Sequence, residues 1–274
     1  MNFHQFKKTL ILLLLPTFIA KIAFTSIGFH MNISQFYRIS LFLLVIFLFS
    51  CSKEDKKNEL VLQSSFPIAI PECSGLSLFG EHFLTVSDSL SQVYVISRKG
   101  QVLDTMSFIG NNLEGVVYNP LNKHTYLVEE NTNEVVELNA TGMEVNRFSV
   151  NLQNLVVKHG LEGISMDLAT NHLFLVSEMA PGFLIECTTS GEEIKRTSLT
   201  FAEDYSSVFF DELQQKIWIL SDDSESVTRC DLNGSPEKTW HTNIKKGEGL
   251  VVDSQNNRIY IITDKVSSLF VFSY

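Results

Sequence analysis

The feature that most constrains this chain is a fivefold internal repeat. Its units open at Glu72-Cys-Ser-Gly-Leu-Ser, Leu113-Glu114-Gly115-Val-Val-Tyr, Leu161-Glu162-Gly163-Ile-Ser-Met, Ser206-Ser207-Val-Phe-Phe-Asp and Glu248-Gly249-Leu-Val-Val-Asp. Measured from Glu72 through Glu114, Glu162 and Ser206 to Glu248, the steps are 42, 48, 44 and 42 residues. A unit of this length cannot bury its apolar face alone and must pack against copies of itself. A period of about 40–45 residues suits a four-stranded propeller blade.

Each unit has the same interior. After the opening strand comes a polar turn, such as Asn119-Pro-Leu-Asn-Lys or Asp253-Ser-Gln-Asn-Asn. A second, apolar strand follows and ends on an acid, over residues 82–88, 124–130, 172–178, 216–222 and 258–264. Third strands are expected over 92–97, 134–139, 183–188, 226–232 and 268–273, and fourth strands over 101–108, 144–150, 192–199 and 236–241. Short β-rich runs punctuated by turn residues mark an all-β fold, and no helical periodicity is sustained after Cys51.

The two ends explain one another. The fifth unit stops at Tyr274 after three strands, and residues 60–66 match residues 102–108, the fourth strand of the first unit. The N-terminal strand therefore completes the last blade, leaving no edge unpaired at the closure. The expected fold is a closed five-bladed β-propeller over residues 60–274.

Residues 1–50 read as a targeting segment. Two apolar runs, 9–20 and 39–49, follow Lys7-Lys8 and Arg38, and each is short for a spanning helix. The second ends in Leu48-Phe49-Ser50-Cys51, which resembles the site where a lipoprotein signal peptide is cut before a cysteine that then carries lipid. Phe49 replaces the usual small residue there. A signal peptide beginning at Met31 would be complete in itself, and a single transmembrane anchor over residues 39–50 is the alternative. Residues 51–59 form a charged tether. Within it, Lys53-Glu54-Asp55 resembles the export signal of surface lipoproteins in Bacteroidetes-type bacteria, although a plain hydrophilic spacer accounts for it equally well. The expected location is the cell membrane or envelope, with the outer membrane surface as one option.

Charge narrows the partners. The chain carries a formal net charge of −10, but the first fifty residues hold Lys7, Lys8, Lys21, Arg38 and no acid. Everything from Cys51 onward therefore has 17 basic against 31 acidic residues, a net of −14. Such a domain repels phosphate backbones, so nucleic acid is not the expected partner, while cations and basic ligands are favoured. With Cys51 lipidated, Cys73, Cys187 and Cys230 remain, an odd number that argues against a disulfide framework. They are expected as buried small apolar residues in separate blades.

In a blade the start of the first strand neighbours the end of the second. Closing the ring therefore gathers two sets of side chains at one mouth. The inner set is Glu72, Glu114, Glu162, Ser206 and Glu248; the second is Asp88, Glu130, Glu178, Asp222 and Asp264. So many carboxylates at one place are unfavourable unless a cation or many donors offset them. An oxygen-only set suits calcium, which takes six to eight oxygens in loose geometry; magnesium demands a tighter octahedron, and softer metals prefer His or Cys. The inner set is the expected ion site. Glutamates at strand starts can equally accept backbone N–H groups, and the second set is expected to cap turns or orient ligands.

The Leu-Glu-Gly openings, the Val-Ser-Asp and Val-Glu-Glu strand ends and the Val-Val-Glu-Leu third strand together resemble the SdiA-regulated family, distantly similar to NHL-repeat propellers. The resemblance covers residues 60–274. It implies a five-bladed propeller at the cell envelope with a calcium site, and it supplies no defined biochemical activity.

His159 lies just before Glu162 and is the one weak candidate for a general base; a loop histidine without such a role is the more usual case. His82, His124 and His172 open second strands and read as turn-flanking residues. No phosphate loop, nucleophile elbow or dinucleotide fingerprint is present. The expected function is a membrane-anchored, calcium-bound binding or scaffold module with a protein or small-molecule ligand at the mouth. The alternative is a calcium-dependent hydrolase of lactones, esters or phosphoesters, which needs an open metal position and a base within reach.

Overall fold

In the computed structural model, residues 58–152, 160–178 and 182–274 are described. The targeting segment, Cys51, the tether up to residue 57 and His159 lie outside them. None of the described residues forms a helix long and apolar enough to cross a membrane.

Among the described residues, twenty strands build five four-stranded antiparallel sheets. The chain enters on β1 (Val61–Pro67). Blade 1 is β2 (Cys73–Phe79), β3 (His82–Ser87), β4 (Gln92–Ile96) and β5 (Val102–Ile109). Blade 2 is β6 (Leu113–Asn119), β7 (His124–Glu129), β8 (Glu134–Leu138) and β9 (Glu144–Ser149). Blade 3 is β10 (Leu161–Asp167), β11 (His172–Ser177), β12 (Gly182–Thr188) and β13 (Glu193–Leu199). Blade 4 is β14 (Ser207–Asp211), β15 (Lys216–Ser221), β16 (Ser226–Cys230) and β17 (Pro236–His241). Blade 5 is β18 (Gly247–Asp253), β19 (Arg258–Thr263) and β20 (Ser268–Ser273), completed by β1. The expected closure is present: β1 runs antiparallel to β20 from Val61 opposite Ser273 to Pro67 opposite Ser268. Just before it, Leu60 donates its N–H to the His241 carbonyl on β17 at 3.2 Å, so the entering chain also bridges blades 4 and 5.

The apolar second strands explain why the blades stack into a ring. Alternate side chains of a strand point to opposite faces. On β15, Ile217 and Ile219 face blade 3, while Trp218 and Leu220 face blade 5. On β19, Ile259 and Ile261 face blade 4, while Tyr260 and Ile262 face blade 1. The same division on β3, β7 and β11 gives five apolar clusters, one at each junction of neighbouring blades. A strand buried on both faces has no polar side to show, which is why these segments read as unbroken apolar runs. Cys73, Cys187 and Cys230 are buried free thiols in blades 1, 3 and 4, and burial pushes each up to about 12.

Candidate functional site: the acidic mouth of the ring

The recurring Glu-Gly pair has a specific backbone cause. In blades 2, 3 and 5 the register between first and second strands slips at the glutamate. Leu113 opposes Glu129 and Gly115 opposes Val128, so Glu114 is the extra residue. Glu162 and Glu248 occupy the same place between Leu161 and Gly163 and between Gly247 and Gly249. Such a bulge breaks the alternation of the strand and re-aims one side chain. The glycine that follows lets adjacent inner strands meet: a β-carbon on Gly249 would stand 2.7 Å from the backbone of Gly75.

The same register corrects the first unit. Cys73 opposes Ser87 as Leu113 opposes Glu129, and a β-carbon on Gly75 would meet the backbone of Glu114 and Gly115. Ser74, not Glu72, is therefore the counterpart of Glu114. The inner ring is Ser74, Glu114, Glu162, Ser206 and Glu248. Glu72 falls two residues earlier, with Asn112, Gly160, Asp204 and Lys246, at a position the sequence reading did not single out. Glu72, Asn112, Gly160 and Lys246 each accept through their carbonyl the N–H of a second-ring acid: Asp88, Glu130, Glu178 and Asp264, at 3.0–3.3 Å. The two ring serines hold neighbouring blades together. Ser74 Oγ donates to the Glu114 carbonyl at 2.7 Å, and Ser206 Oγ donates to the Gly247 carbonyl at 2.6 Å.

Both sets line one cavity of about 350 Å³ at the mouth, together with Asp204 and Lys246. The second-ring acids close the turns that follow them through their backbone carbonyls. Asp88, Glu130, Asp222 and Asp264 accept the N–H groups of Ser91, Asn133, Glu225 and Ser267, each of which has positive φ. In blades 1 and 4 the residue before the acid also caps the turn, as Ser87 Oγ accepts from Leu90 N and Ser221 Oγ from Ser224 N. Asn112 Nδ2 donates to Glu130 Oε2 at 2.6 Å. Lys246 donates its N–H to Asp222 Oδ1, with Nζ 3.0 Å from Oδ2. Asp204 accepts from Ser221 Oγ and from the N–H groups of Asp222 and Asp223, so it braces the blade-4 turn.

Charge accumulates where water is scarce. Burial foremost, then the Asp88 carboxylate, pushes Glu114 up to about 8. Burial, then Asp264, raises Glu248 to about 8. Glu162 is held well above the usual carboxylate range by burial and then by Glu114 and Glu130. Burial likewise raises Asp88, Glu130 and Asp264. One oxygen each from Glu130, Glu162 and Glu178 lie within 4.8 Å of one another. That is inside the roughly 5 Å separating opposite oxygens around one calcium, twice its oxygen bond length. The donors are all oxygens, and the residues fit a hard cation. The cluster mixes the two rings: one inner glutamate with two second-ring acids.

His82, His124 and His172 lie elsewhere. His124 Nδ1 is 2.6 Å from Glu137 Oε1 and His172 Nδ1 is 2.8 Å from Glu186 Oε1, cross-strand pairs at the far end of the second strands; His82 is exposed there.

A ring of five four-stranded blades around one acid-lined mouth defines a five-bladed β-propeller. The chain belongs to the SdiA-regulated family, whose model matches residues 70–272. Among solved structures it is similar to a chain in the crystal structure of a nidogen/laminin complex, with a TM-score of 0.53 and 13% identity over 73% of this chain and 74% of that one. That likeness carries the fold alone. No curated protein matches the chain.

Proposed function

We propose that this protein is a calcium-binding propeller lipoprotein, held at the cell envelope through lipid on Cys51 and acting as a binding or scaffold module. The observation that carries the calcium reading is the meeting of Glu130, Glu162 and Glu178. Glu162 is 8% exposed and has no hydrogen-bond or ion-pair partner among the described residues. A buried carboxylate is tolerated when protonated, or when a cation replaces the water it has lost. Bound there, calcium would supply positive charge to both rings and fix the inner strands relative to one another. The ligand of the module is a protein or small molecule that meets the mouth.

Thermal unfolding of the full chain in detergent, with excess calcium chloride and with chelator, tests the reading. An ion that binds only the folded state at one hundred times its Kd adds about 2.7 kcal/mol. The expected result is a clear rise in midpoint with calcium that Glu162→Gln removes. Equal midpoints in calcium and chelator would contradict calcium binding. Chelator-sensitive turnover of a lactone, aryl ester or phosphoester would make the module a hydrolase instead.

A further inference from the structure

The ring has a second cavity, at the end away from the acidic mouth. There the last residues of the five inner strands and the turns after them enclose about 510 Å³. That lies within the roughly 300–1,000 Å³ of small-molecule sites. Its wall is apolar and drawn from every blade, through Leu78, Val116, Met166, Phe210 and Val252. Leu78 and Leu213, both in the lining, are 40% and 62% exposed, so part of this apolar wall meets water. The residues that directly follow the inner strands form a rim, one from each blade: Gly80, Pro120, Leu168, Glu212 and Ser254. Only Glu212 among them is charged.

Asp211, Glu212 and Asp253 bring three acids to this lining from blades 4 and 5, and none of them forms an ion pair among the described residues. Glu212 Oε1 accepts the Leu168 N–H, and burial, then the Asp167 and Asp211 carboxylates, raises Glu212 above its ordinary value. Asp211 is 3% exposed; its Oδ1 accepts from Leu213 N, Gln214 N and Ser254 Oγ, while Oδ2 is buried with no hydrogen-bond partner. Among the described residues, Arg98 is the one basic side chain in the lining. It donates to the Glu81 and Gly80 carbonyls at 3.1 and 3.2 Å and lies 4.1 Å over the Phe83 ring, so blade 1 holds it rather than the acids.

We propose that this cavity is a second ligand site, for a small organic cation whose apolar body sits against the wall and whose protonated amine meets Glu212 at the rim. The body takes Leu78 and Leu213 out of water, and the ammonium offsets acids that the protein leaves without a counter-charge. The site shares no lining residue with the acidic mouth, and it does not rest on the calcium reading.

Three probes on one skeleton test it: phenylbutylamine, phenylbutanol and phenylbutanoate. Each is dialysed to equilibrium against the full chain in lipid nanodiscs, with empty nanodiscs as the blank for uptake by lipid. The expected order of binding above the blank is amine, then alcohol, then carboxylate, and it is the same in calcium and in chelator. Glu212→Gln, at an exposed rim position, should weaken the amine by about two- to fivefold, the usual worth of an exposed charge pair, and leave the alcohol unchanged. Leu78→Arg, which sets a charge in the apolar wall at an already exposed position, should remove the amine altogether. Tightest binding of the carboxylate would mean that Arg98 governs the cavity and would overturn the cation assignment. Equal binding of all three, or amine binding that neither variant changes, would overturn it too. No binding above the blank would sink the site itself.

Discussion

At Gly115 a β-carbon would stand 2.8 Å from the carbonyl oxygen of Glu162, so the inner strands of blades 2 and 3 meet at a contact that only glycine permits. The opposing atom belongs to backbone and cannot swing aside. Overpacking of this kind costs about 1–3 kcal/mol. Gly115→Ala is therefore expected to lower the denaturation midpoint, while Gly80→Ala, where a β-carbon would meet nothing within 4 Å, carries only the cost of its positive φ, about 1 kcal/mol. Because the carbonyl pushed away is that of Glu162, Gly115→Ala should also weaken calcium binding and Gly80→Ala should not. Chemical denaturation and calcium titration of the two variants check this.

The raised carboxylates give stability a definite pH dependence. Glu114 and Glu248 ionise near 4.5 in the unfolded chain but only near about 8 in the folded one. Between those values the folded state holds more protons, so stability from these groups is greatest below 4.5 and falls as pH rises toward about 8. In chelator the thermal midpoint should decline across that window. With calcium the decline should flatten, because the ion takes the place of the protons. A chelator-treated midpoint that climbs through the window would contradict the buried-carboxylate account.

The blade count, the strand order and the closure by residues 60–66 were legible because they rest on backbone period and on apolar runs that a two-faced strand requires. The mouth was legible only in part. Aligning units on glutamate placed Glu72 in the inner ring, whereas the close approach of inner strands is registered by Gly75, Gly115, Gly163 and Gly249. Aligning on those glycines would have put Ser74 beside Glu114. It would also have exposed the position two residues before the ring, where Asp204 and Lys246 stand. The pairing of Lys246 with Asp222 depends on which blades become neighbours and on side-chain reach, and no local pattern encodes it. Nor does repeat spacing say that a carboxylate oxygen of Glu162 comes within 4.8 Å of one from Glu130 and one from Glu178.

The central claim is tested most directly by anomalous X-ray scattering from crystals grown in calcium chloride. The account predicts one calcium peak in the mouth, bonded to carboxylate oxygens of Glu130, Glu162 and Glu178, with the Lys246 ammonium against Asp222 on the opposite side. A mouth without a peak at saturating calcium, or a peak bonded to Asp222 and Asp264 instead, would contradict it.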